Sequence, residues 1–351
     1  MQNKQFHKLS DVLGPVRPRE DVLSDLRQNT DLYSTFLRFD PSDQEKLLRF
    51  LCGEKSLEIL YDPFFKNIMD PYTHRDRVEG LISAFLGEPV SVIQILPNTG
   101  NQLVDNGTFV VMDILVELED HRIINVEMQK VGYLFPSQRT SCYAADIIMR
   151  QYNRVKALKG KSFTYKDIQQ TYLFIIMEKS SSEFLSVPGQ FIHHRNISYS
   201  SGVRLPETAD ITYVSLDTFR STVQNINTEI AAWLTFLSKN DPKSVLSLVA
   251  RYPQFLSCYQ DIAAFRQKPE ELIYMFSEAL YILDKNTERL MVDELRTEKE
   301  TLEATVNSLK EEKLAAEAKA QSAEAKAQSL EAENQTMAEE LSAYKARFGS
   351  I

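Results

Sequence analysis

Three observations predict an α/β fold in which a mixed sheet is flanked by helices and extended by helical additions and a long C-terminal coiled-coil helix. Strand-like runs rich in Val, Ile and Phe alternate with helical patterns between residues 61 and 220. From Asp217 onward the apolar spacing is helical. The last proline is Pro269 and the only glycine after Gly202 is Gly349, so no helix breaker interrupts residues 270–348.

A length of 351 residues predicts roughly two units of ordinary domain size. With 43% hydrophobic and 25% charged residues the chain can bury a sizeable core, which argues against wholesale disorder. A net charge of -9 argues against a uniformly basic coat for nucleic acid but allows a local basic groove. Cys52, Cys142 and Cys258 are far apart and odd in number, which fits neither a disulfide framework nor a zinc cluster; they read as reduced, mostly buried thiols. The first residues lack the apolar core of a signal peptide, and no run reaches the roughly 18 apolar residues of a membrane span, so a cytoplasmic, non-membrane protein is expected.

Residues 1–60 read as a polar helical leader, with one amphipathic helix starting at Asp40-Pro41-Ser42 and carrying Leu47, Leu48, Phe50 and Leu51. Residues 61–220 form the core. A helix over 74–87 places Val78, Leu81, Ile82, Phe85 and Leu86 at helical spacing and stops at Gly87. Strands are predicted at 90–96, 108–118, 122–129, 172–177 and 211–216, with a helix from Ser137 to Lys159 closed by Gly160. The first three strands read as a meander, and the turn at Glu119, Asp120 and His121 is short enough for a hairpin. Residues 221–288 form a helical extension packed on the core, including the apolar runs 231–238 and 244–259.

Residues 289–351 carry a heptad seam. Leu295, Leu302, Leu309, Ala316, Ala323, Leu330, Met337 and Tyr344 recur every seven residues, with Val292, Val306, Ala320, Ala327 and Leu341 three residues earlier. Lys299, Lys313 and Asn334 interrupt the companion position, and residues 317–337 repeat with heptad length. A helix of this kind needs a partner to bury its seam, which predicts a homodimer or hetero-oligomer. The alanine-rich middle buries little area, and a solvated single helix is the other reading.

Within the hairpin, Asp113 and Glu127 stand inside otherwise apolar runs. With the loop centred on Asp120, opposed positions have numbers summing to 240, which places Asp113 opposite Glu127. Two carboxylates that close raise one another's pKa unless a cation lies between them, and Mg²⁺ favours such oxygen ligands. Gln129 shares the face of Glu127 and could orient a water or a phosphate oxygen. The other reading is a pair of surface-facing strand acids, as Glu117 and Glu119 are expected to be. His193 and His194 are adjacent and point to opposite sides of a strand, without a spaced third ligand, which makes a poor metal site.

The segments LYDPFFKNIM (60–69), RVEGLISAFLG (77–87), VVMDILVELEDHRIINVEMQ (110–129) and SQRTSCYAADIIMRQY (137–152) together resemble the PD-(D/E)XK nuclease superfamily. More narrowly, they resemble the Rpn-type recombination-promoting nucleases and transposases of bacteria. The resemblance is close over 60–180 and loose over 10–290. It implies a restriction-endonuclease-like sheet, with Asp113 as the metal-binding aspartate, Glu127 as the second acidic ligand and the Met128 carbonyl as a third. Gln129 stands where many members of the superfamily have a catalytic lysine. Glu79 matches the acid of the first core helix; from its spacing to Ile82 and Leu86 it also reads as a boundary glutamate. Gln151 matches a glutamine facing the site from the second helix. Arg139 and Tyr143, at i and i+4, could contact DNA phosphate or simply rest on one another, and Lys66 could contact phosphate or pair with an acid. Phe64 and Phe65 read as core.

The resemblance implies a Mg²⁺-dependent DNA endonuclease (with Mn²⁺ as the other candidate ion), a hydrolase linked to recombination or transposition. The alternative is a catalytically weak or inactive nuclease-like module that binds DNA or protein and assembles through its C-terminal coiled coil.

Overall fold

In the computed structural model, which describes residues 6–98, 112–131, 137–223 and 225–349, the leader helix starts where the sequence signals it. The Asp40 carboxylate accepts a hydrogen bond from the Asp43 N–H, Pro41 fills the first helical turn, and Gly53 ends the helix at φ +82°. This helix, α4 (Pro41–Cys52), follows three shorter ones, α1 (Ser10–Leu13), α2 (Arg19–Gln28) and α3 (Thr30–Arg38). All four are built into the main core through Leu13, Leu26, Phe36, Leu47 and Phe50. Each such side chain contributes roughly 1.5–3 kcal/mol of apolar burial. The Arg266 guanidinium locks the leader in place by donating to the carbonyls of Leu13, Gly14, Pro15 and Leu51.

Next come α5 (Asp62–Ile68) and α6 (Arg75–Leu86), the latter closed by left-handed Gly87 as predicted. The sheet strands are β1 (Val92–Ile95), β2 (Ile114–Leu118), β3 (Ile123–Val131), β4 (Thr171–Lys179), β5 (Ile192–His194) and β6 (Ala209–Ser215). Their spatial order is β1-β2-β3-β4-β6-β5. The first three form the expected antiparallel meander, β3, β4 and β6 run parallel, and β5 closes the far edge antiparallel to β6. The crossover from β3 to β4 is α7 (Ser137–Lys159), which matches the predicted helix end for end. The short α8 (Ser182–Leu185) precedes β5; then come α9 (Leu216–Thr222), α10 (Glu229–Ser238), α11 (Pro242–Arg251), α12 (Phe255–Ala264) and α13 (Pro269–Phe348).

Strand alternation divides the core. Ile124, Val126, Phe174, Ile176 and Val214 join one cluster with the leader and the helices from α9 onward, whereas Leu115, Ile123, Leu173, Ile175 and Ile211 pack with Tyr143 and Ile147 of α7. The result is the α/β architecture expected, a mixed sheet between helical layers with a long C-terminal helix.

Two expectations need correction. Of the predicted strand over 108–118, residues 108–111 lie outside those described, and in the remainder the strand begins only at Ile114, because Asp113 lies in a bend before it. Glu117 is not a surface acid. It is 1% exposed, because Arg154 from α7 and His121 at the hairpin, 2.8 Å away, satisfy its carboxylate. The thiols are mostly buried as expected, Cys52 and Cys258 buried and Cys142 exposed. Strand β5, only three residues long on an edge, is not among the five predicted strands, although His193 and His194 within it take the strand geometry expected of them.

The chain divides into two compact units, Met1–Asn286 and Thr287–Ile351. In the second, the helix exposes its seam residues Leu302, Val306, Leu309, Leu330, Met337, Leu341 and Tyr344, each about half or more. The side chains of Val292 and Leu295 lie outside the described residues. No described helix is long and apolar enough to cross a membrane.

Candidate active site

The hairpin register is the one the loop arithmetic requires: Ile114 pairs with Val126, Leu115 with Asn125, Val116 with Ile124 and Glu117 with Ile123. One step further, Asp113 and Glu127 take over with side chains. The Asp113 N–H donates to Glu127 Oε1 at 3.2 Å, and Asp113 Oδ2 accepts from the Met128 N–H at 2.7 Å. The two acids thus face each other where β2 begins and β3 continues beyond it.

Glu127 is 1% exposed and the Asp113 side chain 11%, and desolvation is the first cause of their perturbed acidity. Burial and then the charge of Asp62 push the Asp113 carboxyl up to about 6, against the opposing pull of Lys66 and the Met128 N–H. Burial and then the charge of Asp113 hold the Glu127 carboxyl well above the ordinary range, although the Asn125 amide donates to it at 3.0 Å. Carboxylates in this condition need a cation to ionise together at neutral pH.

Helix α5 contributes cationic charge. Phe64, Phe65 and Ile68 are fully buried, which fixes the helix, and Asp62 and Lys66 at i and i+4 share its remaining face. Lys66 Nζ lies 2.9 Å from Asp62 Oδ2 and 3.6 Å from Asp113 Oδ1. Burial alone would lower the lysine's pKa; the charge of Asp113 and its bond to Asp62 outweigh that and raise it.

Helix α7 covers the same neighbourhood. Arg139 donates to the Tyr143 hydroxyl at 2.9 Å, with the guanidinium 5.4 Å from the ring centre. Burial first and the Glu127 charge second push the Tyr143 phenol up to about 12, and the Arg139 charge lowers the Glu127 pKa, so both side chains lie within electrostatic reach of Glu127. Gln129 follows on β3, half-buried, opposite Met177 of β4.

Two predicted residues stand apart. The Glu79 carboxylate accepts from the Val92 N–H at 2.8 Å, and Val92 pairs with Leu118. That is the other end of β2 from Asp113, about 17 Å away along the strand. Glu79 therefore ties α6 to β1 and is not brought to the carboxylate pair. Gln151 is buried on α7 about 12 Å along the axis from Tyr143, with its amide nitrogen lacking a hydrogen-bond partner among the described residues. His193 packs on Phe184 and Tyr213 while His194 Nδ1 lies 2.9 Å from Thr212 Oγ1, so the two histidines are engaged separately.

Sequence reasoning missed two contributors. Asp62 stood in a motif whose role was open, and its i,i+4 relation to Lys66 was the available signal. Asn125 is a polar residue in an apolar strand two positions before Glu127, hence on its face.

Among the described residues, no group of three or more His, Cys, Asp and Glu side chains is arranged to hold a metal. The donor set at Asp113 and Glu127 nevertheless fits a hard divalent ion, which commonly takes one or two carboxylates and completes its shell with backbone oxygen, water and substrate phosphate. The family model for PD-(D/E)XK nuclease family transposases matches residues 60–289, a span holding every residue of this site. No curated protein and no solved structure matches the chain.

Proposed function

Because this chain belongs to the PD-(D/E)XK nuclease family transposases, nuclease-like proteins linked to transposition, we propose that it is a divalent-metal-dependent DNA endonuclease with Asp113 and Glu127 at its centre. The observation that carries the proposal is the pair of carboxylates, Glu127 buried and Asp113 nearly so, facing across the β2–β3 junction, both with raised pKa. Mg²⁺ or Mn²⁺ held there would supply positive charge to the scissile phosphate and acidity to an attacking water.

The chain's own groups divide the remaining work. Asp113 and Glu127 hold the ion by charge, with the Met128 carbonyl as a third oxygen. The Met128 N–H fixes the orientation of the Asp113 carboxylate, and the Asn125 amide fixes that of Glu127. Gln129 orients a water or phosphate oxygen from the same strand face without adding charge. Arg139, exposed at the start of α7, meets the DNA backbone, and the Tyr143 hydroxyl, buried in the core beneath it, accepts from its guanidinium and holds it there. Gln151 supports the covered side of the sheet from within α7. The exposed seam of the second unit pairs two chains as a coiled coil, which provides two such sites for two DNA strands.

The second reading is a nuclease-like binding module without catalysis, favoured by the uncharged Gln129 and by the Lys66 ion pair that already compensates Asp113. Calorimetric titration with Mn²⁺ separates the two. The endonuclease reading expects binding that Asp113→Asn and Glu127→Gln each abolish; an inert module shows none that depends on these carboxylates.

A further inference from the structure

The strand position that carries a catalytic cation in many related enzymes holds Gln129, which bears no charge, yet an ammonium does lie at the carboxylate pair. It comes from α5. Lys66 Nζ bridges Asp62 and Asp113, at 2.9 and 3.6 Å. Its neighbours Phe64, Phe65 and Ile68 are fully buried, so the helix presenting it is fixed, while the Lys66 side chain itself is 39% exposed. Lys130, one residue beyond Gln129, is committed elsewhere: it pairs with Glu178 at 2.7 Å and lies 3.6 Å from the centre of the Tyr61 ring.

We propose that Lys66 is the resident cation of this site: its ammonium, shared between Asp62 and Asp113, competes with a divalent ion for Asp113 and, once that carboxylate is taken, stays on Asp62 beside the scissile phosphate as the charge that Gln129 lacks. Asp62 is then the positioning residue that keeps the ammonium at the site in both states. The inference rests on the endonuclease reading for its second half only; competition for Asp113 requires no cleavage.

The test uses the full chain and three variants, Lys66→Met, which keeps the length of the side chain, Lys66→Arg, which keeps the charge, and Lys66→Gln, which serves if the methionine variant melts abnormally. Two quantities are measured: Mn²⁺ affinity by calorimetry without DNA, and plasmid cleavage at saturating Mn²⁺. Removing a neighbouring ammonium should tighten Mn²⁺ binding on the order of tenfold. Cleavage at saturation should nevertheless fall about 100-fold, with part of it kept in Lys66→Arg. Tighter binding together with slower cleavage is a combination that loss of a merely structural ion pair does not give. Unchanged or weaker Mn²⁺ binding in Lys66→Met overturns the competition, and wild-type cleavage in that variant overturns the catalytic charge. If wild type binds Mn²⁺ but does not cut, the endonuclease reading fails together with the second half, and the affinity comparison still decides the first. No Mn²⁺ binding in any of the proteins overturns both.

Discussion

Asp113 and Glu127 are joined crosswise: the backbone N–H of Asp113 donates to the Glu127 carboxylate, while the Asp113 carboxylate accepts from the N–H of Met128, the residue after Glu127. Side chains thus replace the ladder at the first position beyond β2, and both acids are held in one place, Glu127 buried and Asp113 nearly so.

That burial has a pH signature in metal-free protein. The Asp113 carboxyl, pushed up to about 6 from an ordinary 3.8, binds its proton more tightly folded than unfolded. Its contribution to stability is therefore fully present below about pH 4 and is lost as pH rises through about 6; the raised Glu127 acts with the same sign. Asp113→Asn removes this penalty. In EDTA, the melting temperature of the variant should gain on wild type between pH 4 and pH 7, by an amount worth on the order of 3 kcal/mol. Parallel melting profiles for the two proteins count against a buried, raised Asp113.

If Lys66 provides the charge missing at position 129, a lysine placed there should substitute for it. Gln129→Lys alone is expected to change cleavage little, whereas Gln129→Lys in the Lys66→Met background should recover at least about tenfold of the lost rate. Initial rates of plasmid nicking measure this, and a double variant no faster than Lys66→Met separates the two positions functionally.

The leader depends on a close approach at Gly53. A Cβ there would stand 2.7 Å from Arg266 Nη2, and the residue holds φ +82°, which side chains resist. Gly53→Ala should cost about 2 kcal/mol or more, because the guanidinium that it displaces satisfies four carbonyls. Urea denaturation measures the loss; a midpoint equal to wild type would mean that Arg266 is easily moved.

The seam of the second unit offers a test of assembly. Leu309 and Leu330 are 58% and 52% exposed in the single chain. Lysine at both positions should convert a dimer to monomer at micromolar concentration in sedimentation equilibrium. Wild type that is already monomeric there contradicts the coiled-coil assembly.

Much of this was legible in the residues themselves. The short hairpin loop fixed the register, and with it the opposition of Asp113 and Glu127, since strand pairing leaves no freedom once the turn is set. Gly87 and Gly160 marked helix ends because a left-handed backbone favours glycine. What escaped was non-local. The burial of Glu117 depends on Arg154, thirty-seven residues away, and the recruitment of Asp62 and Lys66 depends on how α5 packs against the sheet. Helical spacing put Glu79 beside the apolar stripe of α6 but could not say which end of the sheet that stripe meets; its carboxylate reaches Val92 instead.

Cleavage of supercoiled plasmid by wild type, Asp113→Asn and Glu127→Gln, each with Mg²⁺, with Mn²⁺ and with EDTA, tests the central claim most directly. Wild type should nick or linearise the plasmid only with a divalent ion, and each variant should be slower by 100-fold or more while melting at or above the wild-type temperature at pH 7. Cleavage by folded Asp113→Asn at the wild-type rate, or wild-type cleavage undiminished in EDTA, would contradict a metal-dependent site built on these two carboxylates.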